Sequence, residues 1–262
     1  MKIEKNVSIG HNIIGTGDKK VIALHSWMDD AESWNSTIPY LNIEEYTYAF
    51  MDVRGYGKSK EIKGQFNSDE IANDVFNLAD TLHWDKFYLI GHSMCGLAAQ
   101  KASLLDKQNR ILKIVLVTPV SASGFPADKD DKDFFTSIVQ NKEMSAMAYG
   151  VFTSDRLSVY WKEMRAKRHL QVTDSEAQLA YINMWTEENF YNEMVEVSKP
   201  FLVLSGKHDH IQFQISSQRE AFKNFKNVEF IELENSGHFP MQETPLYLVS
   251  LIENYFSKNN SH

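Results

Sequence analysis

Short apolar runs alternate with amphipathic stretches along most of the chain. The runs are Val21-Ile-Ala-Leu24, Tyr46-Thr-Tyr-Ala-Phe-Met51, Phe87-Tyr-Leu-Ile90, Ile111-Leu-Lys-Ile-Val-Leu-Val117, Phe201-Leu-Val-Leu204 and Val228-Glu-Phe-Ile-Glu-Leu233. Most are continuous rather than alternating, which predicts strands buried on both faces of a parallel sheet. Helical patterns lie between them. Ser68 is expected to cap a helix whose inner face carries Ile71, Val75, Leu78, Ala79 and Leu82. Thr244 followed by Pro245 predicts a second helix start, leading into Leu248, Leu251, Ile252, Tyr255 and Phe256. Strand and helix in alternation predict an α/β protein with a mostly parallel, doubly wound sheet.

The alternation breaks between Ser121 and Val197, a segment that reads as amphipathic helices rich in aromatic and methionine side chains. Strand patterning resumes after Pro200. The expected organisation is therefore a core of residues 1–120 and 198–262 with a helical cap inserted at 121–197. Gly15-Thr-Gly17 reads as a turn, too short for a phosphate loop.

The chain has 262 residues, 43% hydrophobic, enough to bury a full core. Its net charge of -8, without basic clusters, argues against nucleic acid or acidic membranes as partners. One cysteine, Cys95, excludes an internal disulfide framework and suits a reducing compartment. The N-terminal Met1-Lys-Ile-Glu-Lys-Asn6 lacks the apolar centre of a signal peptide, and no apolar stretch is long enough to span a bilayer. A soluble cytoplasmic protein is the expectation.

Candidate chemistry begins where the run at Phe87–Ile90 stops at Gly91-His-Ser-Met94. A strand turning sharply into a helix there would force Ser93 into the open, the layout of a nucleophile elbow. A serine hydroxyl needs a base, and the base needs a group to hold it. Asp209 ends the run Phe201-Leu-Val-Leu-Ser-Gly-Lys-His-Asp209, and His238 follows the run at Val228–Leu233. Loops at the carboxyl ends of parallel strands share one rim, so Ser93, Asp209 and His238 are expected to meet there. Two backbone N–H groups should face the developing oxyanion: that of Met94, and that of Trp27 in the loop after Val21–Leu24. Ser26, Trp185 and Met147 are expected at the substrate pocket. His208-Asp209-His210 is set aside as a metal site for want of a third ligand, and no cofactor or metal is expected. Asp29-Asp30 reads as a pair of solvated charges, and His11, His25, His83 and His169 as structural or exposed.

With these residues in place the chain resembles the α/β-hydrolase superfamily, in its capped, cofactor-free esterase and haloperoxidase-like branch, over essentially its whole length. Gly91-His-Ser-Met94 is similar to the elbow, Asp52-Val-Arg-Gly-Tyr-Gly-Lys-Ser59 to the Asp-x-Arg-Gly-x-Gly-x-Ser loop, Gly206-Lys-His-Asp209 to the acid loop and Ser236-Gly-His-Phe-Pro240 to the histidine loop. The resemblance implies a Ser93–His238–Asp209 triad, an oxyanion hole from Trp27 and Met94, and structural roles for Asp52, Arg54 and Ser59. Two positions depart from the family. Where His-Gly is usual the chain has His25-Ser26, so Ser26 replaces the glycine, and Cys95 replaces the second elbow glycine, as a small apolar residue or as an oxidation-sensitive thiol. The expected activity is hydrolysis of a small apolar ester, thioester or lactone, with an acyl or ring-containing substrate under the cap. The rivals are carbon–carbon bond hydrolysis or cofactor-independent ring-opening dioxygenation, and ligand sensing without turnover. Against the dioxygenase stands the run Ile111–Val117, which ends in Thr118-Pro119 with no carboxylate.

Overall fold

A computed structural model describes residues 7–258; the N-terminal Met1–Asn6, expected to lack a signal peptide, and residues 259–262 lie outside the described residues. The strands are β1 (His11–Ile14), β2 (Lys19–Leu24), β3 (Tyr46–Met51), β4 (Phe87–His92), β5 (Ile111–Val117), β6 (Phe201–Gly206) and β7 (Val228–Leu233). They form one seven-stranded sheet in the order β1-β3-β2-β4-β5-β6-β7. β1 pairs antiparallel with β3, and every other pairing is parallel.

The continuous apolar runs become central strands because only such a position buries both faces. Every residue of β3, β4 and β6 is buried. β7 lies at an edge and is only half buried, with Glu229 and Glu232 in it, charges that discourage pairing with another sheet. β1 carries no run of apolar residues, being only an edge strand with two apolar positions in four.

Helices α1 (Ser68–Thr81) and α2 (Met94–Leu105) flank the sheet. The predicted inner face of α1 is buried at Ile71, Val75, Leu78 and Ala79. Its cap, however, is Asn67, whose side chain accepts the Glu70 N–H, and Ser68 is the first helical residue. The Ser68 hydroxyl instead donates to Glu188. Between β5 and β6 come α3 (Lys129–Ile138), α4 (Lys142–Val151), α5 (Val159–Val172), α6 (Ser175–Glu187) and the short α7 (Tyr191–Met194). Their apolar side chains join the same buried cluster as the sheet. After β6 follow α8 (Ile215–Ala221), α9 (Pro240–Glu243) and α10 (Pro245–Ser257). Pro245 opens α10 as predicted, but Thr244 makes no side-chain cap; its hydroxyl pairs with Ser236 Oγ at 2.6 Å. Parallel pairing puts the segments after β2, β4, β6 and β7 on one rim of the sheet, and those segments carry Ser26–Asp30, Ser93, Asp209 and His238. Among the described residues no helix is long and apolar enough to cross a membrane.

Candidate active site

Ser93 sits between β4 and α2 with φ 54° and ψ -118°, a conformation that ordinary residues avoid at a cost of roughly 1–3 kcal/mol. The surroundings hold it there. Its N–H donates to the Val117 carbonyl at 3.0 Å, and its carbonyl accepts the N–H groups of Gly96 at 2.8 Å and Val120 at 3.0 Å. Gly91 is required by close approach, because a Cβ there would lie 2.4 Å from the Cys95 carbonyl oxygen. The second glycine is displaced for the same kind of reason: a Cβ on Gly96 would lie 2.5 Å from Pro119 Cβ. Cys95 is fully buried, and burial pushes its thiol pKa up, so it packs as a small apolar side chain rather than a reactive thiolate.

The structure brings the three separated residues together. Ser93 Oγ donates to His238 Nε2 at 2.8 Å, and His238 Nδ1–H donates to Asp209 Oδ2 at 2.7 Å. All three are buried, with Ser93 only 8% exposed. Burial pushes the His238 pKa down to about 3, so the imidazole is neutral at pH 7 and its Nε2 lone pair is available to the serine. The same burial pushes the Asp209 carboxyl well above its usual range, opposed by the His210 N–H, which bonds Asp209 Oδ1 at 2.6 Å. Supports that the sequence did not advertise fix His238. Its carbonyl accepts from His92 Nε2 at 2.8 Å and from the Thr118 hydroxyl at 3.1 Å, and its N–H donates to the Phe152 carbonyl at 2.9 Å. Glu243 receives the flanking N–H groups of Gly237 at 2.9 Å and Phe239 at 3.1 Å. A short chain distance from the histidine loop was the only available hint for Glu243. His92 and Phe152 offered none.

On the opposite side lies the loop after β2. The Ser26 carbonyl accepts from His25 Nδ1–H at 2.8 Å, while His25 Nε2 accepts the Val53 N–H at 3.1 Å. In a trans peptide the C=O and N–H point in opposite directions, so the Trp27 N–H faces away from His25. Among the described residues neither the Trp27 nor the Met94 N–H has a protein acceptor. Ser26, Trp27, Met94, Ser93 and His238 line one cavity of about 30 Å³, closed around by Phe125, Phe135, Phe152, Trp185 and Phe213. That is room for roughly two water molecules. A more polar groove of about 630 Å³, bordered by Ser121, Ser123, Gln212 and Ser217, shares Val120, Phe125 and Phe213 with it.

Two expectations are corrected. Met147 does not reach the cavity: α4 turns Ala148 and Tyr149 inward and leaves Met147 47% exposed on its outer face. Asp29 and Asp30 are not solvated. Both are buried, paired with Arg165 and Arg168 of α5. Asp52, Arg54 and Ser59 do hold backbone and loops: Asp52 accepts the N–H groups of Ala31 at 2.8 Å and Lys58 at 3.0 Å, Arg54 grips Asp74 at 2.8 and 3.0 Å, and Ser59 Oγ accepts the Gly10 N–H at 2.8 Å. His208-Asp209-His210 is spent elsewhere, Asp209 on His238 and the His210 ring against Phe125 at 6.1 Å. Among the described residues no group of three or more His, Cys, Asp or Glu is arranged to hold a metal ion.

A mostly parallel sheet carrying a serine, a histidine and an acid on its carboxyl rim defines a hydrolase-type α/β protein. The family model described as the alpha/beta hydrolase fold matches residues 19–245, and the chain belongs to that family. It is 23% identical over 264 residues to the AB hydrolase superfamily protein YisY of Bacillus subtilis, covering 97% of each chain. Among solved structures it is similar to an esterase from Exiguobacterium antarcticum, with TM-score 0.82, 18% identity and coverage of 95% of this chain and 96% of the other. It is also similar to the enol-lactonase of Burkholderia xenovorans LB400, with TM-score 0.80, 20% identity and coverage of 95% and 96%.

Proposed function

We propose that this protein is a serine hydrolase that cleaves a small apolar carboxylic ester, thioester or lactone through an acyl-enzyme. One observation carries the reading: an unbroken hydrogen-bond chain from Ser93 through neutral His238 to Asp209, starting on a strained elbow at the floor of an apolar cavity. His238 takes the Ser93 proton as Oγ attacks the carbonyl carbon, then gives it to the leaving alcohol. Asp209 keeps the proton on Nδ1, leaving Nε2 as the base, and stabilises the imidazolium that forms. The N–H groups of Trp27 and Met94 receive the oxyanion; Met94 does so at the positive end of α2. Water then repeats the attack on the acyl group with the same residues.

Residues 121–197 act in this reading as a cap whose aromatic side chains select a small apolar acyl or ring group. The tight apolar cavity beside a roomier polar groove supports a short acyl part and a larger, more polar leaving group. The single buried cysteine suits a reducing, cytoplasmic setting. The esterase and the lactonase on the same fold are consistent with this chemistry, at identities that carry the fold alone.

Turnover of p-nitrophenyl acetate and butyrate tests the reading. Wild-type protein should release nitrophenol and Ser93→Ala should lower kcat by at least about 1000-fold. Retained turnover in Ser93→Ala would overturn the assignment, and absence of turnover with any short ester or lactone would favour ligand sensing. Substrate-dependent oxygen uptake with a hydroxyquinolone would favour ring-opening dioxygenation instead.

A further inference from the structure

The core holds both ends of the loop that presents the Trp27 N–H, through His25 on the Ser26 carbonyl at 2.8 Å and Asp52 on the Ala31 N–H at 2.8 Å. Residues 27–30 between them each have a partner on the inserted helices. The Trp27 indole N–H donates to the Gln178 carbonyl of α6 at 3.0 Å. The Met28 carbonyl accepts the Tyr149 hydroxyl of α4 at 3.0 Å, and Asp29 Oδ1 lies 3.3 Å from the same hydroxyl. Asp29 is ion-paired with Arg165 of α5, both buried, and Asp30 with Arg168 of the same helix at 2.6 Å. The Asp30 side chain also accepts the Glu32 N–H at 3.3 Å, so the pairing reaches into the 3-10 helix that follows at Ala31–Tyr40. By contrast, the Met94 N–H belongs to the first turn of α2, on the sheet core.

We propose that Arg165, Asp29 and Tyr149 are positioning residues that fix the Trp27 N–H, so that the inserted helices complete the oxyanion hole as well as covering the substrate. This inference rests on the hydrolase reading above. The cost structure supports it. A buried ion pair adds little stability over apolar residues of the same volume, yet removing one member strands the other charge. Here the pair is joined through a single oxygen: Asp29 Oδ2 and Arg165 Nε are buried without a partner among the described residues. Such a pair is a poor device for stability. It is a directional one for holding a loop, and the loop it holds carries the donor. A shift of about 1 Å in that donor is enough to cost roughly 100-fold in rate.

The test uses the full chain and a trifluoromethyl ketone. Ser93 Oγ adds to its carbonyl carbon, the serine proton passes to His238, and the carbonyl oxygen becomes an oxyanion with nothing expelled. Affinity for this compound therefore reports on the hole. Arg165→Met and Asp29→Asn should each lower kcat on p-nitrophenyl acetate by about 10- to 100-fold and weaken the ketone by the same factor, with KM changed less than about threefold. Arg165→Lys should recover most of both. Tyr149→Phe strands no charge, so it should fold even where the charge variants do not, and should lose about fivefold in both readouts. Soluble Tyr149→Phe and Arg165→Lys with wild-type kcat and ketone affinity, combined with wild-type values in whichever charge variant folds, would overturn the inference. So would a fall in kcat that leaves ketone affinity intact. Failure of the hydrolase reading is distinguished by Ser93→Ala, which would then retain turnover and lose nothing toward the ketone.

Discussion

The two sides of this site are built by opposite means. On the elbow side, Ser93 and Met94 are set by local backbone geometry: a strained turn, a glycine that nothing else could replace at Gly91, and hydrogen bonds to the adjacent strand β5 and the turn after it. On the other side, beyond the local hold of His25 on the Ser26 carbonyl, Trp27 and the two residues after it are bonded to partners more than 100 positions away in sequence, at Gln178, Tyr149 and Arg165. The first side needs only a strand, a helix and small residues between them. The second also draws on the inserted helices. In the proposed reading the core alone sets the nucleophile, and the insertion steadies the pocket around it.

The largest effect should come from breaking the part that both sides share. Asp209→Asn keeps the shape of the acid but donates or accepts differently toward His238 Nδ1, which favours the wrong imidazole tautomer. A loss in kcat of about 10⁴-fold is expected, the size seen generally when the acid of a serine triad is replaced by its amide. KM should hardly move, because Asp209 does not line the cavity. Steady-state kinetics on a short ester checks this. A loss below about tenfold would mean that Asp209 is a loop anchor and that the Ser93–His238 pair works alone.

Much of this was legible in the chain. The buried strands announced themselves because a central parallel strand must be apolar on both faces. The elbow was legible only jointly, because Gly91-His-Ser93 alone reads as an ordinary turn and gains meaning from Asp209 and His238 following in order at strand ends. What escaped was set by distant partners. Asp29 and Asp30 look like solvated charges until Arg165 and Arg168 are folded against them, and nothing local signals that pairing. Met147 illustrates a second failure. The composition of α4 indicates a helix that packs inward, but its register decides that Tyr149 is buried and Met147 is not. At α1 the error was a single residue, since Asn67 and Ser68 are both competent caps and the side chain that reaches the Glu70 N–H belongs to Asn67.

The next effect is a pH dependence that sharpens the contrast. His169, on α5, is buried, its Nδ1 at 2.7 Å from Ser145 Oγ and its Nε2 against the Gln178 side-chain amide. Burial pushes its pKa down to about 4 from an ordinary value of 6.5. A histidine depressed in the folded state binds fewer protons there than when unfolded, so it lowers stability as pH falls from about 6.5 toward 4. The linked loss should be on the order of 2 kcal/mol by pH 5. Burial lowers His25, His92 and His238 in the same sense, and raises the carboxyls of Asp52, Asp74 and Asp209, which act in the opposite one. Those groups are common to wild type and His169→Gln, so the difference between the two isolates His169. Urea unfolding at pH 7, 6 and 5 should show a shallower fall for His169→Gln. Parallel curves would place His169 outside the acid response.

Ser26 should give the smallest effect, and it decides how far the departure from glycine matters. Its backbone is not among the positive-φ positions, so glycine is not needed there for conformation. The side chain lines the cavity, and its buried Oγ has no partner among the described residues. Two contributions are therefore separable. Ser26→Ala removes the hydroxyl and keeps the backbone stiff; if that hydroxyl donates to the bound ester, kcat/KM should fall about fivefold, the worth of one ordinary hydrogen bond. Ser26→Gly removes the hydroxyl and also loosens the loop, adding a further two- to fivefold from glycine's greater freedom. With Tyr149 and Arg165 already pinning residues 28 and 29, that second factor should lie at the low end. In a Tyr149→Phe background it should grow, because one of the pins is gone. Equal Gly-against-Ala ratios in the two backgrounds would show that the loop at Trp27 is stiff for local reasons, and the two sides of the site would then be alike.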